Sequence, residues 1–387
     1  MKKIIPAFIC MLLFASFYLY SQTWSPIIRL TWNAGASSFP AIARNIGTCL
    51  HLVWHDNSFG GNNEIYYKRS TDGGATWSAA KRRTWTTGDS IFPAVAIDSA
   101  DGVHLVWNDK TSGEDEVYYK RSTDGGVTWS TAKRLTWTRT AYGIQWGNGP
   151  SIAADSGNGI YVAWDSYESG NYEIYYKRST DKGQTWSAKR RLTWTSGGSS
   201  WPDIAVDIND NIHIVWNDYT PGNGEIFYKG STDGGTTWSA LKRLTWNADD
   251  SGSVRIAADL GGGIHIAWTD KCPEQVIYKN SLDGGTNWSA PTQLTWTSDW
   301  SWFSEIAVLD TGVHVVWEEY DDVNNINQIR YKSSPYLGTS WGAAVQLTWN
   351  NKCSTVPSVA VDISGAVHVV WSDNNPGNFE IYYKFFK

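Results

Sequence analysis

The sequence predicts an all-β fold, a seven-bladed β-propeller of four-stranded antiparallel blades, and three observations lead to it. Four short signals follow one another in a fixed order, and each occurs seven times along the 387 residues. Trp54 and Trp371 mark the first and last copies of one signal, so the repeat is about 53 residues long, enough for four short strands and their turns. No segment shows the periodicity of an amphipathic helix.

Each repeat supplies one strand per signal. We name the strands A (an apolar Ile-Ala segment), B (His-x-Val-Trp), C (Tyr-Tyr-Lys) and D (the segment up to Leu-Thr-Trp). Short Asp/Gly/Asn links such as residues 98–102 join A to B, as antiparallel hairpins require. Radial repetition of such sheets leaves only short, protected edges, whereas a linear solenoid, the alternative, needs capping repeats at both ends.

The two ends of the chain favour the closed ring. The last repeat contains A, B and C and then stops at Lys387, while residues 22–32 supply a D strand with no partner in sequence. Thr23-Trp24-Ser25 matches Thr76-Trp77-Ser78 of a complete repeat. We therefore expect the N-terminal strand to complete the last blade.

One turn motif, Ser-Thr-Asp-Gly-Gly-x-Thr-Trp or a close variant, recurs between strands C and D. Its Asp can accept hydrogen bonds from residues that follow it, and its Gly residues can adopt a positive φ. A catalytic acid is needed only once, so a structural role is predicted for the repeated carboxylates. They are Asp72, Asp124, Asp181, Asp233 and Asp283.

This motif resembles the Asp box of bacterial neuraminidase (BNR) repeats, and the resemblance extends over nearly all of residues 22–387. It implies a β-propeller of the sialidase-like superfamily. Sialidases resemble six-bladed propellers with an Arg-Ile-Pro near the first blade, two further arginines, a Tyr–Glu pair and an Asp acid/base. Here the count is seven blades and Arg29 is followed by Leu30 and Thr31, so no catalytic residue is carried over.

The N-terminus predicts export. Residues 1–21 combine Met1-Lys-Lys, an apolar run from Ile4 to Tyr20 and a small residue, Ser21, as a signal peptide does; a membrane anchor is the alternative. We expect residues 22–387 to form one domain that is secreted, periplasmic or on the cell surface, with no later membrane span. The net charge of −6 argues against a nucleic-acid partner.

No cofactor or metal is predicted. Cys49, Cys272 and Cys353 show neither a disulfide framework nor zinc-ligand spacing, and residues 318–322 lack the order of a calcium loop. Trp occurs 25 times, and we expect these rings to fill the space between packed sheets. The histidine repeated in strand B is expected to be a buried hydrogen-bonding strut.

Two sets of residues are candidates for ligand binding. Aromatic residues begin several A strands near the axis, where they would stack on sugar rings or plug the channel: Phe39, Phe92, Trp201 and Phe303. Aspartates begin the B–C loops: Asp56, Asp109, Asp218, Asp270 and Asp373. With the Trp of Leu-Thr-Trp on the same face they would form repeated weak sugar sites; alternatively, the acids cap loop N–H groups and the Trp packs between blades.

Three functions are compatible with these observations. The first is a secreted binding module, for glycans in the first place, because near-equivalent blades favour multivalent binding. The second is a sialidase-type glycoside hydrolase, which would need an arginine cluster; Arg44, Arg139, Arg255 and Arg330 do break the repeat, as a carboxylate clamp or as drifted positions. The third is a platform for extracellular protein partners, because a fold alone does not fix a function. Oligomeric state is left open.

Overall fold

The computed structural model describes residues 23–45, 47–58, 60–137, 149–297 and 300–387. Within them lie seven four-stranded antiparallel sheets whose innermost strands surround one axial cavity. The predicted signal peptide lies outside the described residues, as does Arg139 within residues 138–148 before the third blade. Among the described residues, no helix is long and apolar enough to cross a membrane.

The strands are numbered in chain order, and their bounds follow blade by blade. They are β1 Ile28–Arg29; in blade 1, β2 Ser37–Arg44, β3 Leu50–Asp56, β4 Glu64–Ser70 and β5 Lys81–Arg82; in blade 2, β6 Ser90–Ile97, β7 Val103–Asp109, β8 Glu116–Ser122 and β9 Lys133–Arg134; in blade 3, β10 Ser151–Ala154, β11 Ile160–Ser166, β12 Glu173–Ser179 and β13 Arg190–Arg191; in blade 4, β14 Ser199–Val206, β15 Ile212–Asp218, β16 Glu225–Ser231 and β17 Lys242–Arg243; in blade 5, β18 Ser251–Ala258, β19 Ile264–Asp270, β20 Gln275–Ser281 and β21 Thr292–Gln293; in blade 6, β22 Ser301–Leu309, β23 Gly312–Asp321, β24 Ile326–Ser334 and β25 Val345–Gln346; in blade 7, β26 Ser354–Val361, β27 Val367–Asp373 and β28 Glu380–Phe386.

The ring closes as the sequence predicts. Strand β1 pairs antiparallel with β28, with Ile28 opposite Tyr383, and becomes the outermost strand of blade 7. Leu30 N donates to Ile381 O at 2.8 Å, and Trp24 forms a further bridge to Phe386. The all-β, seven-bladed fold with four-stranded antiparallel blades and closure by the N-terminal strand is thereby confirmed.

The core lies between consecutive blades. The B-strand tryptophan of every repeat is at most 2% exposed, and we call this set the core tryptophans: Trp54, Trp107, Trp164, Trp216, Trp268, Trp317 and Trp371. In five of the seven blades this ring stacks on an aromatic ring of strand C, as Trp216 does on Phe227 with centroids 6.3 Å apart. Burial of such large rings is a dominant favourable contribution to folding.

Strand D is shorter than predicted. Its regular pairing covers two residues, although the sequence suggested a strand from the Asp-box Trp to Leu-Thr-Trp. The reason is that the Thr side chain replaces the backbone in the ladder: Thr245 Oγ1 accepts from Ile226 N at 2.9 Å, and the other blades repeat this bond. Side-chain-to-backbone bonds of this kind compete with regular strand pairing.

The Asp-box turn joins neighbouring blades. Asp72 accepts from Thr76 Oγ1 at 2.6 Å, from Thr76 N at 2.9 Å and from Ser70 Oγ at 2.7 Å, and these bonds lower the pKa of Asp72 to about 2. The second Gly of each box has a positive φ and lies against a Tyr of the preceding blade; a Cβ on Gly235 would lie 2.0 Å from Tyr176 Oη. The box Trp packs edge-on against the same Tyr, with Trp238 and Tyr176 centroids 5.3 Å apart.

Candidate functional site

Seven exposed tryptophans form a ring at the outer edge of the face opposite the Asp boxes. They are the Trp residues of Leu-Thr-Trp and its variants, and we call them the rim tryptophans: Trp32, Trp85, Trp137, Trp194, Trp246, Trp296 and Trp349. Each is 61–70% exposed. The expectation that tryptophans fill the space between sheets is therefore wrong for this set, because the preceding Leu and Thr take the buried positions.

Local contacts fix each rim tryptophan from below. In blade 4, Leu244 enters the core and Thr245 bonds strand C, so the chain presents Trp246 outward. Lys279 of the next blade donates from Nζ to Leu244 O at 2.9 Å and lies 5.7 Å from the Trp246 ring centroid. A lysine at this distance from an aromatic ring makes a favourable cation–π contact.

An arginine flanks five of the seven rings. Arg243 lies 5.8 Å from the Trp246 centroid, and its Nη2 donates to the buried Glu225 carboxylate at 2.7 Å. Arg243 Nε donates to Thr245 O at 2.6 Å. The Glu that begins strand C therefore holds a guanidinium against an exposed indole.

The five predicted B–C loop aspartates lie at the ends of the B strands and are mostly buried. Asp218, 0% exposed, accepts from Ser199 Oγ at 2.8 Å, Thr220 N at 2.9 Å and Trp216 Nε1 at 3.3 Å. Equivalent Ser and loop N–H bonds occur at Asp56, Asp109 and Asp373, and Asp270 accepts from Ser251 and Trp268. These carboxylates cap loops in the structure, and a role in ligand binding stays a prediction.

The axial cavity has a volume of about 290 Å³ and receives three of the four predicted aromatic residues. Phe39, Phe92 and Trp201 line it, whereas the ring of Phe303 contacts Trp302 at 6.1 Å between centroids. The cavity brings Phe39 and Phe92 together edge to face, with centroids 4.8 Å apart. Their role, as platforms for sugar rings or as a plug of the channel, stays a prediction.

All four predicted aromatics occupy a β-bulge of strand A with a positive φ, between 44° and 59°. This conformation is unfavourable for bulky residues, and it interrupts the A–B register in six blades. Because Ser253 and Val356 adopt the same conformation in other blades, the bulge belongs to the repeat. Neighbouring blades stabilise it: Trp201 N donates to Asp165 Oδ2 at 3.1 Å.

Three charged side chains in the cavity were missed as a group by sequence reasoning. Arg255 Nε contacts Glu305 Oε1 at 2.6 Å, and Asp203 accepts from Ile256 N at 2.9 Å. Burial raises the pKa of Glu305, and Arg255 opposes that shift. The sequence does contain a signal for this cluster. Asp203, Arg255 and Glu305 occupy one repeat position, which holds Ala or Ser in the other blades.

The arginines that break the repeat do not converge in the described part of the chain. Only Arg255 lines the cavity, and it is paired with Glu305. Arg44 ends strand β2, and Arg330 pairs with Glu319 at 2.8 Å. A three-arginine carboxylate clamp is therefore not formed by Arg44, Arg255 and Arg330.

The strand-B histidines are buried struts, as predicted. His213 Nδ1 and Tyr228 Oη share a hydrogen bond of 2.8 Å, and the other five histidines repeat it. In blade 3, Tyr161 takes the position and donates to Asp155 at 2.7 Å. Four of the six histidines also bond an Asp through Nε2, as His213 does with Asp207. His51 and His314 have no hydrogen-bonded carboxylate in the described structure, and burial lowers the pKa of each to about 4.

Comparisons with known proteins agree with this architecture. A model of the BNR repeat-like domain family matches residues 92–271. A comparison with curated protein sequences finds no match.

Several solved structures share the fold at low identity. A protein of unknown function from Dyadobacter fermentans DSM 18053 is 13% identical, with 95% of this chain and 100% of that chain covered and a TM-score of 0.60. A PL25 polysaccharide lyase, an ulvan lyase, is 13% identical over 92% and 95% of the two chains, with a TM-score of 0.62. The intramolecular trans-sialidase from Ruminococcus gnavus, in complex with oseltamivir carboxylate, is 12% identical over 93% and 97%, with a TM-score of 0.53. The chain is therefore an Asp-box β-propeller with a closed seven-bladed ring, and its residues 92–271 are similar to the BNR repeat-like domain family.

Proposed function

We propose that the protein is an exported, multivalent glycan-binding module whose contact surface is the ring of rim tryptophans. The observation that carries this proposal is the presence of seven indoles, 61–70% exposed, at one repeat position. An indole supplies a large, rigid and amphipathic contact surface at low cost in conformational entropy. A flat ring with adjacent hydrogen-bond donors is suited to stacking on the apolar face of a sugar.

The number of sites compensates for the weakness of each. One indole platform offers a single stacking contact and few polar contacts, so each site alone is expected to bind weakly. A polysaccharide that reaches several blades gains avidity, which can exceed the single-site affinity by about 10²–10⁴. The similarity of the sites around the ring favours a polymeric ligand over a single small molecule.

Low-identity neighbours make glycans the first class of ligand to test. One is a polysaccharide lyase and another a trans-sialidase, and both share only the fold with this chain. The predicted signal peptide would bring the protein to the secreted, periplasmic or surface location where polysaccharides are met. Extracellular proteins are the remaining class of partner.

The test is binding of the full chain to a panel of polysaccharides, with oligosaccharide occupancy counted by native mass spectrometry. Several oligosaccharides per chain are expected. Replacement of two neighbouring rim residues, as in the Trp194→Ala/Trp246→Ala variant, should lower the number of bound oligosaccharides per chain by two without unfolding the ring. The matched control is Val127→Ala, an exposed apolar residue of the Asp-box face. If no polysaccharide of the panel binds, or if the double variant binds as well as the wild type, the proposal is refuted.

A glycoside hydrolase is the second candidate function, and the axial cavity is the observation that favours it. Asp203 and Glu305 place two carboxyl groups beside Arg255, and the raised pKa of Glu305 suits a general acid. Release of free sialic acid or of shortened glycans, abolished by Glu305→Gln, would move the function to this cavity. Intact glycans after prolonged incubation would leave the binding module as the function.

A further inference from the structure

We propose that five of the seven rim sites are built for an acidic sugar residue, one with a carboxylate or sulfate group, and that the other two are not. This inference rests on the proposed glycan-binding function and specifies its ligand class. The five arginine sites are centred on Trp32, Trp85, Trp137, Trp194 and Trp246. The two glutamine sites are centred on Trp296 and Trp349, where Gln293 and Gln346 replace the arginine.

In an arginine site the guanidinium is fixed but not saturated. Arg243 uses Nη2 for Glu225 and Nε for Thr245 O, while its Nη1 has no hydrogen-bond partner among the described residues. Its side chain is 29% exposed, and the guanidinium lies 5.8 Å from the Trp246 centroid. A ligand stacked on the indole would therefore find an oriented, charged donor at the edge of the ring.

The same anchoring recurs at the other arginine sites. Arg29, Arg82, Arg134 and Arg191 each bond a buried Glu and the carbonyl oxygen of the rim Thr. Their guanidinium carbons lie 5.6–5.8 Å from the ring centroids. The repeated geometry means that the donor is placed before any ligand binds, so little side-chain entropy is lost on binding.

In the glutamine sites both members of the ion pair have changed together. Gln293 Nε2 donates to Thr295 O at 2.6 Å, and Gln275, at the position of the buried Glu, accepts from Thr295 Oγ1 at 2.8 Å. Gln346 and Gln328 repeat this arrangement around Trp349. The exchange leaves the net charge of the site unchanged, but it removes the exposed guanidinium.

The lysine beside each indole responds to that exchange. In the glutamine sites Lys332 and Lys384 lie 4.8 Å from the ring centroids. In the arginine sites that show this contact, the lysine lies 5.3–5.7 Å away. In the arginine sites an arginine and a lysine, which repel each other, both lie beside the ring. Where glutamine replaces the arginine, the lysine can approach the ring more closely. Five of these six lysines are buried, with 6–9% of the residue exposed, so the arginine is the cation that a ligand can reach.

The chemistry of guanidinium selects the ligand class. Arginine forms strong, charge-assisted hydrogen bonds with carboxylate and oxyanion groups, and the paired Glu is buried away from the ligand. A neutral sugar would gain the stacking contact at all seven sites but no charge-assisted bond. Uronic acid residues and sulfated sugars share the required chemistry, and the experiment below distinguishes them.

The experiment counts bound oligosaccharides of equal length on the full chain by native mass spectrometry: a polyuronate, a sulfated galactan fragment and a neutral glucan. Up to five acidic oligosaccharides per chain are expected at concentrations where the neutral one is hardly bound. Acidic binding should weaken as salt is raised, since exposed charge contacts are screened. Preference for the uronate or for the sulfate assigns the acidic group, and either preference supports the proposal.

The chain itself offers charge-matched variants. Arg243→Gln with Glu225→Gln transplants the blade-5 pair into blade 4 and should reduce acidic occupancy from five to four, with neutral binding unchanged. Gln293→Arg with Gln275→Glu should raise acidic occupancy to six. Unaltered acidic occupancy in both variants would overturn the inference.

The outcomes separate the inference from the function on which it rests. Trp-dependent binding of neutral and acidic oligosaccharides with equal affinity would overturn the inference and leave a glycan-binding module. Binding of neither class would overturn the proposed function itself. If the Arg243→Gln/Glu225→Gln variant keeps the wild-type melting temperature, its loss of occupancy arises at the site and not from unfolding. The gain of occupancy expected for Gln293→Arg/Gln275→Glu does not depend on that control.

Discussion

The core tryptophans and the rim tryptophans occur equally often but face opposite environments. Trp216 lies within strand β15, which is buried along its whole length, and is 0% exposed, whereas Trp246 follows strand β17 and is 66% exposed. The difference arises from their neighbours: alternation within strand B places Trp216 in the packed space between blades, while Leu244 and Thr245 occupy the buried positions ahead of Trp246. Repetition of an aromatic residue therefore indicates a repeated position and says little about burial.

Removal of a core ring should have the largest effect. Trp216→Ala deletes a fully buried side chain and its hydrogen bond to Asp218, and we expect a loss of about 4 kcal/mol in the free energy of unfolding. Chemical denaturation followed by far-UV circular dichroism measures it. A loss below about 1 kcal/mol would mean that the space between blades collapses around the deletion.

The ion pair beneath a rim ring should be the next most sensitive part. Arg243→Ala leaves the buried Glu225 carboxylate without its cation, at a cost of about 3 kcal/mol, because an uncompensated buried charge is strongly unfavourable. The Arg243→Gln/Glu225→Gln double variant should recover most of this loss, as the same pair is native in blade 5. A double variant no more stable than Arg243→Ala would contradict this account of the site.

The Asp-box glycines allow a comparison between two adjacent positions. Gly235→Ala should cost about 2–3 kcal/mol, because the new Cβ would lie 2.0 Å from Tyr176 Oη in a residue with φ of 77°. Gly234→Ala has a similar φ of 63° but its nearest neighbour is 3.6 Å away, so about 1 kcal/mol is expected. Equal losses in thermal unfolding would show that backbone conformation alone restricts the turn.

Buried histidines should make stability depend on pH, and His51 in blade 1 and His314 in blade 6 are two of them. His51 and His314 have folded-state pKa values of about 4 against an ordinary 6.5, so the unfolded chain binds protons more tightly. Their contribution is complete above pH 6.5 and is lost as the pH falls toward 4. Denaturant midpoints between pH 7.5 and 4 should decline, and the His51→Gln variant should show a shallower decline. A slope identical to that of the wild type would exclude His51 as a cause.

Removal of a rim ring should have the smallest effect on stability. Trp246→Ala loses exposed surface and a cation–π contact, so the free energy of unfolding should change by less than about 1 kcal/mol. Differential scanning calorimetry checks this, and glycan occupancy measured on the same sample should fall. A destabilisation as large as that of Trp216→Ala would assign the rim rings to the fold.

Most of the fold was predictable because its signals are local and repeated. Period, strand type and the unpaired β1 sequence specify seven blades and their closure, since Thr23-Trp24-Ser25 could pair only with a blade that lacks its outer strand. Strand D was predicted too long because Thr245 uses its side chain where a backbone group was assumed. That substitution depends on three-dimensional hydrogen bonding, which the residue pattern does not record.

The candidate site was less predictable. Sequence reasoning placed Trp246 and Asp218 on one face but could not decide which of them is exposed; the structure buries the acid and exposes the ring. The cavity charges Asp203, Arg255 and Glu305 lie about 50 residues apart in sequence and meet because the A strands of three consecutive blades line the same cavity. Conversely, the coordinated change from Arg–Glu to Gln–Gln in two blades was visible in the sequence, but its meaning required the 2.7 Å bond between Arg243 and Glu225.

The pairing of β1 with β28 also determines the order of assembly. The first strand of the propeller is synthesised ahead of every other blade, yet its partner emerges last, so it must wait for the whole ring. Until then β28 and β1 both expose unpaired edges, which are templates for pairing with another chain. Exchange of this strand between two molecules would produce intertwined dimers, so dilution and a fast, uninterrupted supply of the C-terminal blade should favour the closed monomeric ring.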